Sequence, residues 1–296
     1  MSLLKTLKFI TDHPINRDQK LSSVVRFAKW QVGSRLVPGP VVYEWINGSK
    51  FLVRTGETGL TGNIYTGLHE FPDMGFLLHV LRSEDLFVDV GANVGSYTIL
   101  ACSAIGARGV AYEPVPSTYK RLVENMRLNH LDETVVTINK GVGAQLGNIA
   151  FTDDRDTINH ALATDEQCTN TVSVELTTLD ASLQDESPSL VKIDVEGYET
   201  PVLQGAQETL KKHTLHSVIM ELNGSGSRYG YDETQIVELM FDYGFKTYSY
   251  NPLDRTITNL EGKNPSSGNT LFIRDKYMVE ERLRNAPKIF INGRQF

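Results

Sequence analysis

Residues 86–106 read LFVDVGANVGSYTILACSAIG, a stretch that passes from a buried-strand pattern through a glycine turn straight into a helix pattern. Leu86, Phe87, Val88 and Val90 form a short apolar run broken by Asp89 alone, as a central parallel strand requires. Gly91 and Gly95 permit a tight turn and close approach to a ligand, and Asn93 is a non-glycine type that tolerates left-handed backbone. Ser96 is placed to cap the next helix, whose Tyr97, Leu100, Ala101, Ala104 and Ile105 keep helical spacing. Free backbone N–H groups at such a helix start face an anion.

Many nucleotide sites share a strand, a glycine turn and a helix, so spacing has to discriminate. The dinucleotide fingerprint G-x-G-x-x-G needs glycines at 91, 93 and 96, where the chain has Gly91, Asn93 and Ser96. A phosphate-binding P-loop is excluded because no Lys-Ser/Thr pair follows the turn. The pattern D-x-G-x-N-x-G, formed by Asp89, Gly91, Asn93 and Gly95, resembles the first motif of class I S-adenosylmethionine (SAM) methyltransferases. A turn that only packs a helix on a sheet is the plainer alternative. The next strand, Gly109 to Tyr112, ends at Glu113, 24 positions after Asp89. An acid about 20 residues past the first turn of a βαβ unit sits where it can accept both hydroxyls of a ribose. Its plainer alternative is a solvated loop acid. Pro114 and Pro116 then hold the chain extended before a helix with Tyr119, Leu122, Val123 and Met126 facing inward.

Composition narrows the classes. A chain of 296 residues with 40% apolar and 22% charged residues can bury one large core or two modest ones. The net charge of −7 argues against an extended nucleic-acid footprint, which needs clustered Lys and Arg. Cys102 and Cys168 make neither a disulfide framework nor a zinc spacing, and Cys102 reads as a small buried group. No apolar run has the length of a membrane span, and residues 1–10 lack the core and cleavage site of a secretory signal. A cytoplasmic enzyme is the default expectation. Leu3, Leu4, Leu7, Phe9 and Ile10 can lie on a membrane surface or a partner, with packing on the chain's own body the expected arrangement.

In chain order, residues 1–37 read as one or two amphipathic helices ended by Pro38-Gly39-Pro40. Alternating Val41 to Ile46, then Asn47-Gly48, then Phe51 to Arg54 is a hairpin signal with a type I′ turn. Residues 55–68, rich in Gly and Thr, read as a loop over the site or a connector, and a helix follows from about Pro72 to Leu81. Val135 to Ile138 is a third strand with Gly141-Val142-Gly143 as its exit turn, beside the ligand's base. Phe151 to Ala163 and Thr171 to Leu176 read as antiparallel strands or loop, with Asp153, Asp154 and Asp156 in a solvated loop. Leu190 to Asp194 is a fourth strand leading to Glu196, Gly197 and a helix over Val202, Leu203, Ala206 and Leu210. Val218 to Asn223 is a fifth strand, Asp232 caps a helix that Gly244 stops, and Phe245–Tyr250 with Thr270–Arg274 forms a closing antiparallel pair. Strands alternating with helices mean a mostly parallel, helix-covered sheet.

The stretches VDVGANVGSYTIL, YEPVPSTYKRLVENMRLN, TTLD and VKIDVEGYETPVLQGA, with the strand ending at Glu221, resemble the FkbM family of methyltransferases from about Thr66 to Asn223. The resemblance implies an α/β class I fold, doubly wound with a mostly parallel seven-stranded sheet. Residues 1–70 would be an N-terminal accessory segment of helices and a β-hairpin, and residues 71–296 the methyltransferase domain. It also implies SAM as donor and O-methylation of a sugar hydroxyl in a glycan or other metabolite. The donor-binding set expected is Asp89, Gly91, Ala92, Asn93, Gly95, Tyr97, Glu113, Pro114, Gly141, Val142 and Asp194. A sugar hydroxyl is a poor nucleophile, so a general base is valuable, and Asp194, Glu196, His160 and Glu221 are the candidates. His69 and Glu70 could cover the donor. Asp194, Glu221 and Asn223 offer the hard oxygens that suit Mg²⁺, but no metal is assigned. A homo-oligomer is compatible with these features. Methylation of nucleic acid or protein, or SAM binding without catalysis, are the alternatives.

Overall fold

The computed structural model describes residues 3–54, 57–152, 159–163 and 170–296, apart from the side chains of residues 58 and 59. Its centre is an eight-stranded sheet with Leu86–Val90 in its interior. On one side of that strand lie Arg108–Tyr112 and then Val135–Ile138, both parallel to it. On the other side come Leu190–Ile193 and Ser217–Glu221, also parallel, and then the antiparallel Asn269–Ile273. Lys246–Asn251 and Thr256–Asn259 complete that edge. The sheet therefore has one strand more than expected, and the addition is Thr256–Asn259, which folds back on Lys246–Asn251 at the antiparallel edge. Chain order reverses at the central strand, so the crevice beyond the carboxyl ends of Leu86–Val90 and Leu190–Ile193 is the place where such sheets bind ligands.

Alternation along the central strand builds two cores. Phe87 joins Leu77, Leu100, Leu122 and Val279 on one face. Val88 and Val90 join Val191, Val202, Met220 and Ile236 on the other. The first face is covered by the helices Phe71–Val80, Pro116–Leu128 and Lys276–Asn285 and by a helix opening at Ser96–Ile99 that widens into π turns over Leu100–Ile105. The second carries Leu179–Ser182, Glu199–Gln204, Gln207–Lys211 and Glu233–Asp242.

The N-terminal helices Leu3–Asp12 and Lys20–Leu36 are present, as is the hairpin of Val41–Glu44 with Lys50–Val53. At its tip Asn47 and Gly48 both have positive φ, and Ser49 N–H donates to Ile46 O at 2.9 Å, as a type I′ turn demands. The hairpin is fastened to helix Pro116–Leu128 and its cap. Leu52 N–H donates to Asn125 Oδ1 and Lys50 N–H to Asn129 Oδ1, both at 2.8 Å. Ile10, Ile15, Ile46 and Phe51 lie in the same buried cluster as Phe87.

Three local expectations change. Within 55–68 the chain forms a helix, Thr58–Thr66, rather than a loop, because burial of Leu60 and Ile64 outweighs the poor helix propensity of its Gly and Thr residues. The cap of the helix after the glycine turn is Gly95, at φ 93°, and Ser96 is its first helical residue. The helix after Gly197 breaks in two at Gly205, where an added Cβ would stand 2.1 Å from Gly143 O. Gly141–Val142 is a short strand in a separate sheet with Gly147–Thr152 and Thr171–Thr177. Asp153, Asp154, Asp156 and Cys168 lie outside the described residues.

Candidate active site

The turn after the central strand is shaped by contacts that only glycine allows. Gly91 has φ 83°, and a Cβ there would stand 1.9 Å from the carbonyl oxygen of Asp194. Gly91 and Ala92 N–H both donate to Tyr112 O, which ties the turn to the end of the neighbouring strand. Asn93 takes the left-handed conformation at φ 50°. Gly95, by contrast, faces away from the crevice, since a Cβ there would meet Leu122 and Met126 at 2.8 and 2.9 Å.

Glu113 stands across this turn with its carboxylate fixed at both oxygens. Oε2 accepts from Asn93 N–H at 2.9 Å and Oε1 from Val115 N–H at 3.0 Å. Each oxygen keeps lone-pair capacity for a further donor. Burial pushes its pKa up to about 7 against the opposing effect of those two N–H groups.

A cavity of about 290 Å³ opens beside Glu113. Its lining includes Asp89, Gly91, Ala92, Asn93, Tyr97, Glu113, Pro114, Gly141, Val142 and Asp194, which is the expected donor-binding set without Gly95. Glu196 and Glu221 line it too, as do His69 and Glu70. His160 is not among the lining residues. It is buried, and its backbone N–H donates to Thr152 Oγ1 beside the small sheet, while its neighbour Asn159 reaches the cavity. Phe151 and Tyr198 add aromatic wall.

The far wall is dominated by carboxylates. One oxygen from each of Asp194, Glu196 and Glu221 lies within 4.8 Å of the others. The pKa of Glu221 rises to about 9, first through burial and then through Asp194 and Glu196, and its buried Oε2 has no hydrogen-bond partner among the described residues. Glu196 is raised to about 7 by burial and by Asp194. It sits at φ 53°, a conformation that strains a non-glycine residue, just before Gly197 at φ 102°. Glu199 holds this bend, because its Oε1 accepts from Val195 and Gly197 N–H at 3.3 and 3.2 Å.

Several contacts here go beyond the roles read from sequence, although Lys192 and Tyr97 lie within the quoted stretches VKIDVEGYETPVLQGA and VDVGANVGSYTIL. Lys192 stands inside an otherwise apolar strand, is buried, and places Nζ 2.6 Å from Asp194 Oδ2 and 4.6 Å from the ring centre of Tyr97. The surrounding acids, Asp194 foremost, raise its pKa against desolvation, so it is a fixed cation. Tyr97 donates its hydroxyl to Glu70 Oε2 at 2.8 Å, and Asn269 Nδ2 donates to Glu70 Oε1 and Asp73 Oδ2 at 2.9 and 3.2 Å. Asp73, fully buried beside Glu70, is raised to about 7, desolvation being the main cause. The only readable hint was a charge or amide in a run of apolar residues. Asp89 is buried and accepts from Thr98 Oγ1 at 2.6 Å, so it braces the strand end against the helix.

Among the described residues, the acids on this cavity outnumber its cations, Lys192 and Lys140. An anion-binding pocket would have the opposite balance, and a ligand bearing positive charge is favoured.

Residues 89–247 match the methyltransferase FkbM domain. The chain is 30% identical over 174 residues to the hexuronic acid methyltransferase AglP of Haloferax volcanii, across 58% of this chain and 67% of that protein. It is 25% identical to the methyltransferase sdnD of Sordaria araneosa, across 59% of this chain and 79% of that one. Solved structures that overlay on it include the precorrin-6y C5,15-methyltransferase of Geobacter metallireducens, with a TM-score of 0.40, 12% identity, and coverage of 75% of this chain and 92% of that one. TrmK of M. capricolum in complex with S-adenosylhomocysteine overlays with the same score at 8% identity, covering 69% and 68%. The match spans the glycine turn, Glu113 and the carboxylate trio together: the chain belongs to the FkbM methyltransferase family.

Proposed function

We propose that the protein transfers the methyl group of SAM to a hydroxyl of a sugar or glycan. The observation that carries the reading is that one cavity is lined both by Glu113 at the glycine turn and by the clustered trio Asp194, Glu196 and Glu221. The residues present fit the donor. Glu113 has two oxygens with spare acceptor capacity at the spacing of a vicinal diol, and Gly141-Val142 lies beside the place for the base. Asp194 and Glu70 are the carboxylates available to an ammonium. SAM supplies, when bound, a methyl on a positively charged sulfur, a leaving group that needs no protonation.

What the chain must add is alignment, exclusion of water and a destination for the acceptor's proton. The methyl would pass to the acceptor oxygen while the electron pair of the broken carbon–sulfur bond would stay with the donor's sulfur. The hydroxyl proton then needs a base. Glu221 is the strongest candidate, because it lines the cavity and its buried Oε2 has no hydrogen-bond partner among the described residues. Burial and then the crowded acids raise its pKa, and a cationic ligand in the cavity favours its ionised form, so the base is produced where the donor is bound. Asp194 is paired with Lys192, and Glu196 is left to orient the acceptor. His160, buried away from the cavity lining, is set aside as a base. The likeness to a hexuronic acid methyltransferase supports a sugar acceptor. A divalent cation on the trio is not part of this reading, since Lys192 already neutralises one of the three charges.

The test is transfer of isotopically labelled methyl from SAM to a panel of uronates, neutral sugars, RNA and protein, by wild type and Glu221→Gln. Label on a sugar, with kcat reduced roughly 100-fold or more in the variant, is the expected result. Label on RNA or protein alone would overturn the acceptor. Loss of turnover in chelator, restored by Mg²⁺, would reassign the trio to metal binding.

A further inference from the structure

The helix Lys20–Leu36 is apolar on two sides: Phe27 and Trp30 pack inward against the main core, and a second stripe faces outward. Its inward face carries the buried Ser23 and Ser34, and the Arg26 guanidinium reaches Asn16 Oδ1 at 2.8 Å. Its outward face carries Leu21, Val25, Ala28, Val32 and Leu36, all exposed, at the i, i+4, i+7, i+11, i+15 spacing of one continuous stripe. Leu21 and Leu36 are 79% and 75% exposed. By the same periodicity the exposed Lys29 and Arg35 flank the stripe on its two sides. The adjoining helix Leu3–Asp12 adds Leu4, also 79% exposed.

Charge says what such a face meets. Residues 1–37 hold seven Lys and Arg against two acids, Asp12 and Asp18, a net of +5. The whole chain is −7, which leaves −12 for residues 38–296. An apolar stripe bordered by cations, on an otherwise acidic molecule, has the arrangement of a helix lying in the headgroup layer of an anionic bilayer, with Lys and Arg stems reaching the phosphates. The acidic remainder is repelled by the same surface, which fixes the side that faces it. No described helix is long and apolar enough to cross a membrane, so contact would be peripheral. The neighbouring helix Leu3–Asp12 reaches the active-site cavity: its Phe9 packs edge-on against His69, a lining residue, with ring centres 5.4 Å apart.

We propose that the N-terminal helices dock the enzyme on an anionic lipid surface through the Leu21–Leu36 stripe. The inference does not depend on methyl transfer and is tested without it. The full chain is floated with vesicles of phosphatidylcholine alone and of phosphatidylcholine with phosphatidylglycerol, at low and high salt. Wild type is expected to float with the anionic vesicles, to release in high salt, and to ignore phosphatidylcholine. Leu21→Glu with Leu36→Glu, at exposed positions that leave the core untouched, should lower the bound fraction at least about tenfold. Lys29→Glu with Arg35→Glu should do the same while keeping the apolar stripe. Failure of wild type to float with anionic vesicles, or undiminished flotation of both double variants, would overturn the proposal. So would a wild-type dimer that Leu21→Glu with Leu36→Glu separates into monomers without any vesicle binding, because the stripe would then be a contact between copies.

Discussion

Gly91 has no room for a side chain, since a Cβ would collide with the Asp194 carbonyl and would also have to accept φ 83°. Gly91→Ala is therefore expected to destabilise the fold by about 3 kcal/mol or more and to distort the cavity, measured by chemical denaturation. The φ of 83° is legible in sequence because it is set within one turn, whereas the Asp194 carbonyl is brought there only by the fold. Glu113 was legible for the same reason, at a fixed distance from the first strand. Lys192 was not, because its reason to exist lies in Asp194 and Tyr97, which only the fold brings to it. Replacing it by Met should cost about 3 kcal/mol or more, since Asp194 would be left without its cation. A denaturation midpoint equal to wild type would contradict that. His160 was chosen for its chemistry alone, and burial beside the small sheet removes it from the cavity lining.

At the scale of elements, the sheet order follows from strand and helix alternation, and six of its eight strands run one way, as that alternation requires. The helix Thr58–Thr66 was hidden because its residues have little helix propensity and its stability comes from burying Leu60 and Ile64. The bend Val195–Tyr198 was visible as a glycine but not as a strained turn, because Glu199 is what holds it. Glu199→Gln keeps an acceptor oxygen for Val195 and Gly197, whereas Glu199→Leu leaves both N–H groups without it. Turnover is expected to survive the first substitution within about fivefold and to fall by more than about tenfold in the second, with SAM affinity altered less than kcat. Equal loss in both would show that the Glu199 charge, not its acceptor oxygen, matters.

For the molecule as a whole, the acids around the cavity give stability a direction with pH. Glu113, Asp73, Glu196 and Glu199 are raised to about 7 and Glu221 to about 9, so the folded chain keeps protons that the unfolded chain has released. His13, His79 and His216, lowered to about 4, act in the opposite sense only below their ordinary value of 6.5. Above that pH the acids act unopposed, and the thermal midpoint of the ligand-free protein should fall as pH rises from 6.5 toward 9. A midpoint that climbs across this window would mean that the acids are ionised in the ligand-free fold. A cation in the cavity should flatten the slope. Everything at the site turns on whether the bend after Val90, with Glu113 across it, holds an adenosyl sulfonium. Calorimetric titration of SAM into wild type and Glu113→Ala measures this directly. Saturable binding by wild type, weakened roughly 10- to 100-fold in the variant as two charge-assisted hydrogen bonds are lost, is the expected outcome. No heat of binding in wild type, or an equal affinity in both proteins, would contradict it.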